Sequence, residues 1–193
     1  MVTGLVLAAG ESKRMRKPKM LLPFRGRTII ETVLGEALKS GLDETWVVLG
    51  GDREAVEEKI IHLPVKICVN RNFKKGMLSS IHRGLQSISP NTEAVCLILG
   101  DQPEIHADTI NHLIRAFRKS EQGMVIPVYK GRRGHPVIID AGYRKEIFVL
   151  NPDIGLKELM QRHPGDIHEV EMDEEAVLKD IDTPEDYQKL SRS

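Results

Sequence analysis

Short, almost uninterrupted apolar runs recur along this chain and alternate with segments of helical period. A strand that is apolar on both faces must be covered on both sides, as parallel strands usually are. Ile110, Leu113, Ile114 and Phe117 follow the spacing of one helix face. The alternation predicts an open, mostly parallel α/β sheet with right-handed crossovers. The predicted strands are TGLVLA, TWVVLG, VKICV, AVCLILG and MVIPV.

A second apolar stripe runs from Ile29 to Leu38, and Gly41 is predicted to end that helix. After about residue 130 the alternation weakens. There GRRGHPVIID predicts a strand and NPDIGLKEL a helix, before a closing helix at TPEDYQKL. A length of 193 residues with 40% hydrophobic content suits one sizeable core. We therefore expect a single domain over residues 1–193.

The charges of the chain balance, with 28 Lys plus Arg and 28 Asp plus Glu. This balance disfavours a nucleic-acid or anionic-membrane partner, since neither would meet a chain-wide positive field. No apolar segment reaches about 18 residues, and the start lacks the pattern of a secretory signal. We expect a cytoplasmic protein. Cys68 and Cys96 lie inside apolar runs and are interpreted as reduced core residues.

Positive charge is concentrated directly behind the first predicted strand, in the stretch LVLAAGESKRMRKPK. Ligands of parallel α/β sheets bind at the carboxyl ends of the strands, where this loop lies. Ala8, Ala9 and Gly10 leave the backbone open to a base or a phosphate, and Arg14 and Lys19 can neutralise phosphate oxygens. The loop matches neither GxGxxG nor GxxxxGK[ST]. Taken alone, it also suits an ordinary strand exit followed by a solvated basic loop.

A carboxylate follows the strand AVCLILG directly, at Asp101. Mg²⁺ takes one or two carboxylates together with substrate phosphates and water, so Asp101 needs a partner on another loop. Asp182 is the best candidate, with Asp180 close by. Two alternatives remain open: Asp182 also suits the N-cap of the helix that starts near Pro184, and Asp101 also suits a cap or turn.

Five blocks follow one another along the chain: LAAGxSxRMxxPKxLLP, GMxSS at 76–80, LGDQP at 99–103, GRRGHP at 131–136 and DIDTPED at 180–186. Together they resemble the molybdenum cofactor cytidylyltransferase family, among the NTP transferases similar to those of molybdopterin guanine dinucleotide biosynthesis. The chain departs from the family pattern at Arg16, where Gly is usual, and at Leu78, where a third serine is common. The resemblance implies a three-layer α/β/α sandwich with a Rossmann-like sheet of the nucleotide-diphospho-sugar transferase type.

The resemblance also implies an activity: transfer of CMP from CTP to the terminal phosphate of Mo-molybdopterin, releasing pyrophosphate. In that reaction Lys19, Arg14 and Asp101 are catalytic, and Asp101 and Asp182 hold Mg²⁺. Arg132, Arg133 and His135 bind the acceptor, although a His before a Pro, as at His135, is more often part of a structural turn than a catalyst. The nucleotide-binding residues are Leu7, Ala8, Ala9, Gly10, Arg14, Lys19, Gly76, Ser79 and Ser80. Helix capping is an equal alternative for Ser79 and Ser80.

Other assignments stay open at this point. One alternative is a sugar phosphate or a methylerythritol phosphate as the acceptor, and another is the guanylyltransferase of the molybdenum cofactor. A non-catalytic protein that binds or delivers the pterin cofactor is an alternative of another class. The implied partners are CTP, molybdopterin-type substrates and a molybdenum hydroxylase that receives the product. We expect a monomer.

Overall fold

The computed structural model describes residues 1–12, 14–15 and 17–190. The strands are β1 (Val2–Ala8), β2 (Pro23–Phe24), β3 (Arg27–Thr28), β4 (Glu44–Leu49), β5 (Lys66–Val69), β6 (Ala94–Leu99), β7 (Met124–Tyr129), β8 (Arg132–Arg133), β9 (Val137–Asp140) and β10 (Ile167–Glu171). The helices are α1 (Ile29–Lys39), α2 (Arg53–Ile60), α3 (Met77–Ser87), α4 (Ala107–Lys119), α5 (Arg144–Ile147), α6 (Leu156–Arg162) and α7 (Pro184–Leu190). The five predicted apolar runs form β1, β4, β5, β6 and β7, as expected.

The main sheet has the strand order β10-β7-β9-β6-β1-β4-β5, and β8 pairs with β7. β1 lies between β4 and β6 and is parallel to both. β9 is antiparallel to β6 and β7, so the sheet is mixed but mostly parallel. The chain moves outward from β1 to β5 and then returns to the other side of β1 as β6. The strand order therefore reverses between β1 and β6, which opens a crevice at their carboxyl ends.

Helices cover both faces of the sheet, which confirms the α/β/α sandwich. Val6 of β1 packs in one buried cluster with residues of α1, α2 and α4. Leu5, its neighbour on the opposite face, packs in a second cluster with residues of α3, α5 and α6. A Cβ on Gly84 of α3 would lie 2.3 Å from the Leu5 side chain, so glycine lets this helix approach β1 closely.

Several elements were not predicted from the sequence. β10 adds a parallel edge strand beside β7, and its only fully buried residue is Val170. The small β2–β3 hairpin and α2 were also missed. α1 ends at Lys39, two residues before the predicted stop at Gly41. Within the described residues, no helix is long and apolar enough to cross a membrane. Both cysteines are buried and reduced, as predicted.

Candidate active site

The loops after β1 and β6 meet the segment before α7 at a cleft of about 500 Å³, which we call the charged cleft. Its walls include Leu7, Ala9 and Gly10 from the first loop, Asp101 from the loop after β6, and Asp180 and Asp182 from the last segment. The side chain of Ala8 points away from these residues, into the core on the side of α1. Lys13 and Arg16 lie outside the described residues.

Lys19 lies at the centre of the ion pairs in the charged cleft. Only 8% of the residue is exposed. Its Nζ donates to Asp101 Oδ2 at 2.6 Å and to Asp182 Oδ1 at 3.3 Å. A guanidinium nitrogen of Arg14 lies 2.8 Å from Asp182 Oδ2. A nearly buried ammonium group requires such partners, and the two acids therefore converge on one cation although 81 positions separate them in the sequence.

The backbone holds these two acids together, because Ile181 N donates to the carbonyl of Asp101 at 3.1 Å. Capping of α7 falls to Thr183: its hydroxyl accepts from Asp186 N at 3.2 Å, and the Asp186 carboxylate accepts from Thr183 N at 2.9 Å. The alternative that Asp182 caps this helix is therefore wrong. Its carboxylate contacts Lys19 and Arg14 instead.

Three carboxylates lie together in the charged cleft, at Asp101, Asp180 and Asp182, and the cations Lys19 and Arg14 contact two of them. Burial raises the pKa of Asp180, and the charges of Asp182 and Asp101 raise it further. Convergent carboxylate oxygens suit a hard divalent cation such as Mg²⁺ or Mn²⁺. Over residues 1–12, 14–15 and 17–190, no group of three or more His, Cys, Asp or Glu side chains is arranged to hold a metal ion. A cation bound by Asp101 and Asp182 would therefore take its remaining ligands from water and substrate.

Ser12, which the sequence reasoning did not single out, shapes the first loop. Its hydroxyl accepts from Lys19 N at 2.9 Å, and its carbonyl accepts from Met15 N at 3.0 Å. Ser12 itself has a positive φ of 50°. These bonds fold the loop back so that the Lys19 side chain enters the charged cleft. The serine of the LAAGxS block was the available signal.

The N-terminus of α3 forms the opposite wall of the charged cleft. Gly76 precedes the helix with φ 90° and ψ −179°, a conformation essentially restricted to glycine. Gly76 and Ser80 line the charged cleft, whereas Ser79 lines a separate groove behind it. The Ser79 hydroxyl donates to the Gly76 carbonyl at 2.8 Å. This bond does not cap α3, since Gly76 is the N-cap and no side chain of a described residue accepts from the first helix N–H groups, and nucleotide binding by Ser79 stays a prediction.

Asn70 is a second residue that the sequence reasoning missed. It is buried at the end of β5, and its Nδ2 donates to Ser79 Oγ at 2.9 Å and Ser80 Oγ at 3.0 Å. It thereby fixes both hydroxyls on the first turn of α3. A polar residue directly after the run VKICV, at the carboxyl edge of the sheet, was the signal.

A larger cleft of about 770 Å³ adjoins the charged cleft, and Met77 belongs to the walls of both. We call it the apolar cleft, because Leu78, Ile126, Ile154 and Met160 are among its lining residues. Two of the predicted acceptor residues, Arg133 and His135, line it. The third is exposed: Arg132 on β8 pairs with Tyr129 of β7.

The side chains of the two lining residues differ in environment. Arg133 Nε donates to Glu169 Oε1 at 2.7 Å near the surface. His135 is held by its backbone, since its N donates to the Val177 carbonyl at 2.9 Å. Its Nδ1 is buried and makes no hydrogen bond with the described residues. Burial lowers the pKa of His135, and the Leu97 carbonyl and the Asp101 charge oppose this effect. The imidazole is therefore favoured in its neutral form.

Comparison with known proteins places this geometry among nucleotidyltransferases. Residues 4–167 match the model of the MobA-like NTP transferase domain. The chain is 32% identical to nicotine blue oxidoreductase of Paenarthrobacter nicotinovorans, over 98% of this chain and 96% of that protein. It is 26% identical to the molybdenum cofactor cytidylyltransferase of Escherichia coli K12, over 95% and 92% of the two chains. The crystal structure of Rv0371c from Mycobacterium tuberculosis in complex with manganese is 30% identical, with a TM-score of 0.85 over 100% and 98% of the chains.

Proposed function

This chain is a nucleotidyltransferase that belongs to the MobA-like NTP transferase family, and we propose that it transfers CMP from CTP to the terminal phosphate of Mo-molybdopterin. One observation carries the proposal. Asp101 and Asp182 converge on Lys19 in a cleft whose opposite wall is the N-terminus of α3, and an apolar cleft adjoins it. The similarity to the Escherichia coli cytidylyltransferase supports cytosine and the molybdenum cofactor as the two specific substrates.

The nucleotide would lie along the first loop. Ala9 and Gly10 leave room for the base and ribose, and Ser80 offers a hydroxyl from the first turn of α3. Arg14 and Lys19 would contact the triphosphate, because they are the described cations nearest to the two acids. Lys19 would then exchange carboxylate oxygens for phosphate oxygens.

The transfer requires that the acceptor phosphate be aligned with the α-phosphorus of CTP and that the negative charge of the phosphates be neutralised. An oxygen of the acceptor phosphate attacks the α-phosphorus in line, a new P–O bond forms, and the bond to the leaving pyrophosphate breaks. That oxygen is already anionic at neutral pH, so no strong base is needed. Lys19 and Arg14 would stabilise the charge that grows on pyrophosphate. A divalent cation held by Asp101 and Asp182 would supply Lewis-acid stabilisation of the phosphate oxygens, and the manganese complex of Rv0371c supports this assignment.

The acceptor would occupy the apolar cleft. Its volume of about 770 Å³ suits a pterin-sized ligand. Ile126, Ile154 and Met160 offer apolar contacts for a ring system, and Arg133 offers a cation for a phosphate. Because Met77 lines both clefts, an acceptor here would direct its phosphate toward the bound nucleotide.

The proposal is tested by incubating the protein and Mg²⁺ with CTP, GTP, ATP or UTP and with Mo-molybdopterin, a hexose phosphate or methylerythritol phosphate. Pyrophosphate release is measured in each combination. We expect release only with CTP and Mo-molybdopterin. Release with GTP and Mo-molybdopterin would support the guanylyltransferase alternative, and release only with another phosphorylated acceptor would overturn the cofactor assignment. Delivery to a molybdenum hydroxylase, a cytoplasmic location and a monomeric state stay predictions.

An oxidoreductase is the second candidate, because the likeness to nicotine blue oxidoreductase spans almost the whole of both chains. The first loop, however, lacks the GxGxxG pattern of dinucleotide-binding sheets. Reduction of nicotine blue by a reduced nicotinamide donor, without pyrophosphate release in any combination above, would favour this candidate. The same lack of release without any reduction would favour a cofactor-binding protein.

A further inference from the structure

A third depression, of about 590 Å³, lies behind the charged cleft, and we call it the basic groove. The segment 72–80 separates the two. Lys75 and Ser79 line the basic groove, whereas Gly76 and Ser80 line the charged cleft. Over the described residues the two depressions have no lining residue in common. A neighbouring depression shares Arg53, Val69, Asn70 and Arg71 with the basic groove and also has Asp52 and Glu54 in its walls.

Four cations line the basic groove, and no carboxylate is among its described lining residues. Arg53 is 3.6 Å from Glu54, whose side chain is 91% exposed, so this ion pair is weak. Arg71 and Lys75 form no ion pair with any described residue. The Nε of Arg83 donates to the Val69 carbonyl at 3.0 Å, which fixes the guanidinium beside the groove.

The segment that supplies every lining residue of the basic groove except Arg53 is depleted in acids, whereas Arg53 itself lies between Asp52 and Glu54. Residues 59–92 contain six Lys or Arg and neither Asp nor Glu. The whole chain has 28 residues of each sign. Like charges gathered in one concave surface repel one another unless an anion lies among them. The depletion thus indicates an anionic ligand and distinguishes the groove from an ordinary solvated surface, where both signs are mixed.

We propose that the basic groove binds a small polyphosphate anion. Guanidinium groups donate in a planar fork that matches phosphate oxygens, and the side-chain amides of Asn72 and Gln86 add neutral donors. The volume is within the usual range of small-molecule sites. Val69 is the only apolar residue among the described lining residues, so the groove lacks the apolar anchors of a protein interface. A phosphate-rich small molecule therefore fits better than an acidic protein surface.

Asn70 connects this groove to the charged cleft. Its Nδ2 donates to Ser79 Oγ on the groove side and to Ser80 Oγ on the cleft side. An anion that accepts a hydrogen bond from Ser79 or Asn70 therefore perturbs the surroundings of Ser80. Because Ser80 lines the charged cleft, its signal responds to ligands in either depression, and groove binding is measured on residues that line the groove alone.

The test is an NMR titration of the full chain, labelled with ¹⁵N and free of added metal, with inorganic tripolyphosphate. We expect the amide signals of Ser79, Arg83 and Gln86, which line the basic groove and not the charged cleft, to move together with one dissociation constant. Signals of the first loop, such as Gly10, report binding to the charged cleft in the same experiment. Arg71→Gln/Arg83→Gln should weaken the groove titration at least about tenfold, since charge-assisted hydrogen bonds are the strong ones, and leave the Gly10 titration unchanged.

Arg115→Gln/Arg118→Gln is the matched control. It removes the same charge from exposed positions of α4, which packs on the opposite face of the sheet. Equal weakening by the two double variants, or no movement of the groove signals in the wild-type chain, would overturn the proposal. A parallel titration with CTP identifies which anion the basic groove binds. If the groove signals move with CTP, the ligand is a nucleotide. If only the Gly10 signal moves with CTP, the ligand is an inorganic polyphosphate. The nucleotide-transfer assay is separate, so either proposal can fail without the other.

Discussion

The charged cleft and the apolar cleft meet at Met77, but they are built in different ways. The charged cleft is made at strand ends: its first loop follows β1 directly and Asp101 follows β6 after one residue. The apolar cleft is assembled from α3, β7, the segment before β9 and the segment 152–164. Short stretches of sequence specify the first, and the packing of distant elements specifies the second.

We therefore expect the charged cleft to determine the rate of the reaction and the apolar cleft to determine which acceptor is used. In the charged cleft a few full charges lie within 3.3 Å of one another, so changing a single atom alters the balance of charge. In the apolar cleft, affinity is spread over contact area, to which each side chain adds only a fraction. Substitutions should therefore abolish turnover in the first cleft and shift acceptor preference in the second.

The strongest test of this contrast is Asp101→Asn. Asparagine keeps the shape but loses the charge that Lys19 Nζ contacts at 2.6 Å, and it is a weaker ligand for a divalent cation. We expect the rate of pyrophosphate release to fall by at least about 10² to 10³, the usual effect of removing one group that stabilises transition-state charge. The thermal unfolding midpoint should stay within a few degrees.

Asp173→Asn is the control for that substitution, since Asp173 is exposed in the loop after β10. It should leave the rate unchanged. Turnover by Asp101→Asn within about twofold of the wild-type rate would remove Asp101 from the catalytic group, because the expected loss is about a hundredfold or more. The charged cleft would then no longer differ in kind from the apolar one.

A smaller effect is expected from Ile154→Asp in the apolar cleft. Ile154 is 43% exposed on its wall, and a carboxylate there would be desolvated by a bound ring system. We expect kcat/KM for the acceptor to fall about tenfold, equivalent to about 1.4 kcal/mol, with the KM for CTP unchanged. The measurement is steady-state kinetics with each substrate varied in turn.

Ile61→Asp supplies the comparison, because Ile61 is 73% exposed at the end of α2 and lines neither cleft. Its kinetics should match those of the wild-type chain. If Ile154→Asp instead raised the KM for CTP and left the acceptor unaffected, the assignment of the two clefts to the two substrates would be wrong.

The sequence predicted the charged cleft better than the apolar one, and the reason is physical. Arg14, Lys19 and Asp101 follow buried strands, so their charges had to emerge at one edge of the sheet. The role of Asp182 stayed undecided, because either Asp182 or Thr183 could cap α7 in DTPED. The hydrogen bonds between Thr183 and Asp186 resolve that ambiguity. They are visible in the structure but cannot be deduced from the sequence.

The apolar cleft had no comparable signal. Ile154 and Met160 look like core residues of a helical segment, since hydrophobicity alone does not distinguish a core contact from a ligand contact. The same limit applies to the fold. Strands buried on both faces were recognised as apolar runs, whereas the edge strand β10 buries mainly Val170 and carries too little hydrophobic pattern to be seen.

The smallest expected effect concerns pH and His135 on the wall of the apolar cleft. Burial lowers the pKa of His135 in the folded chain, while an unfolded chain restores the ordinary value of about 6.5. The unfolded state thus binds the proton more readily, and stability is lost as pH falls below about 6.5. Between pH 7.5 and 5.5, we expect the free energy of unfolding to fall by up to about 1 kcal/mol more in the wild-type chain than in His135→Gln.

Urea unfolding at the two pH values measures this difference, and the six other histidines are common to both chains, so their contributions cancel. An equal loss in the two chains would mean that His135 binds its proton as readily when folded as when unfolded. The imidazole would then be hydrated, and the inner wall of the apolar cleft would be as wet as the charged cleft beside it. The contrast between the two clefts would then rest on their charges alone.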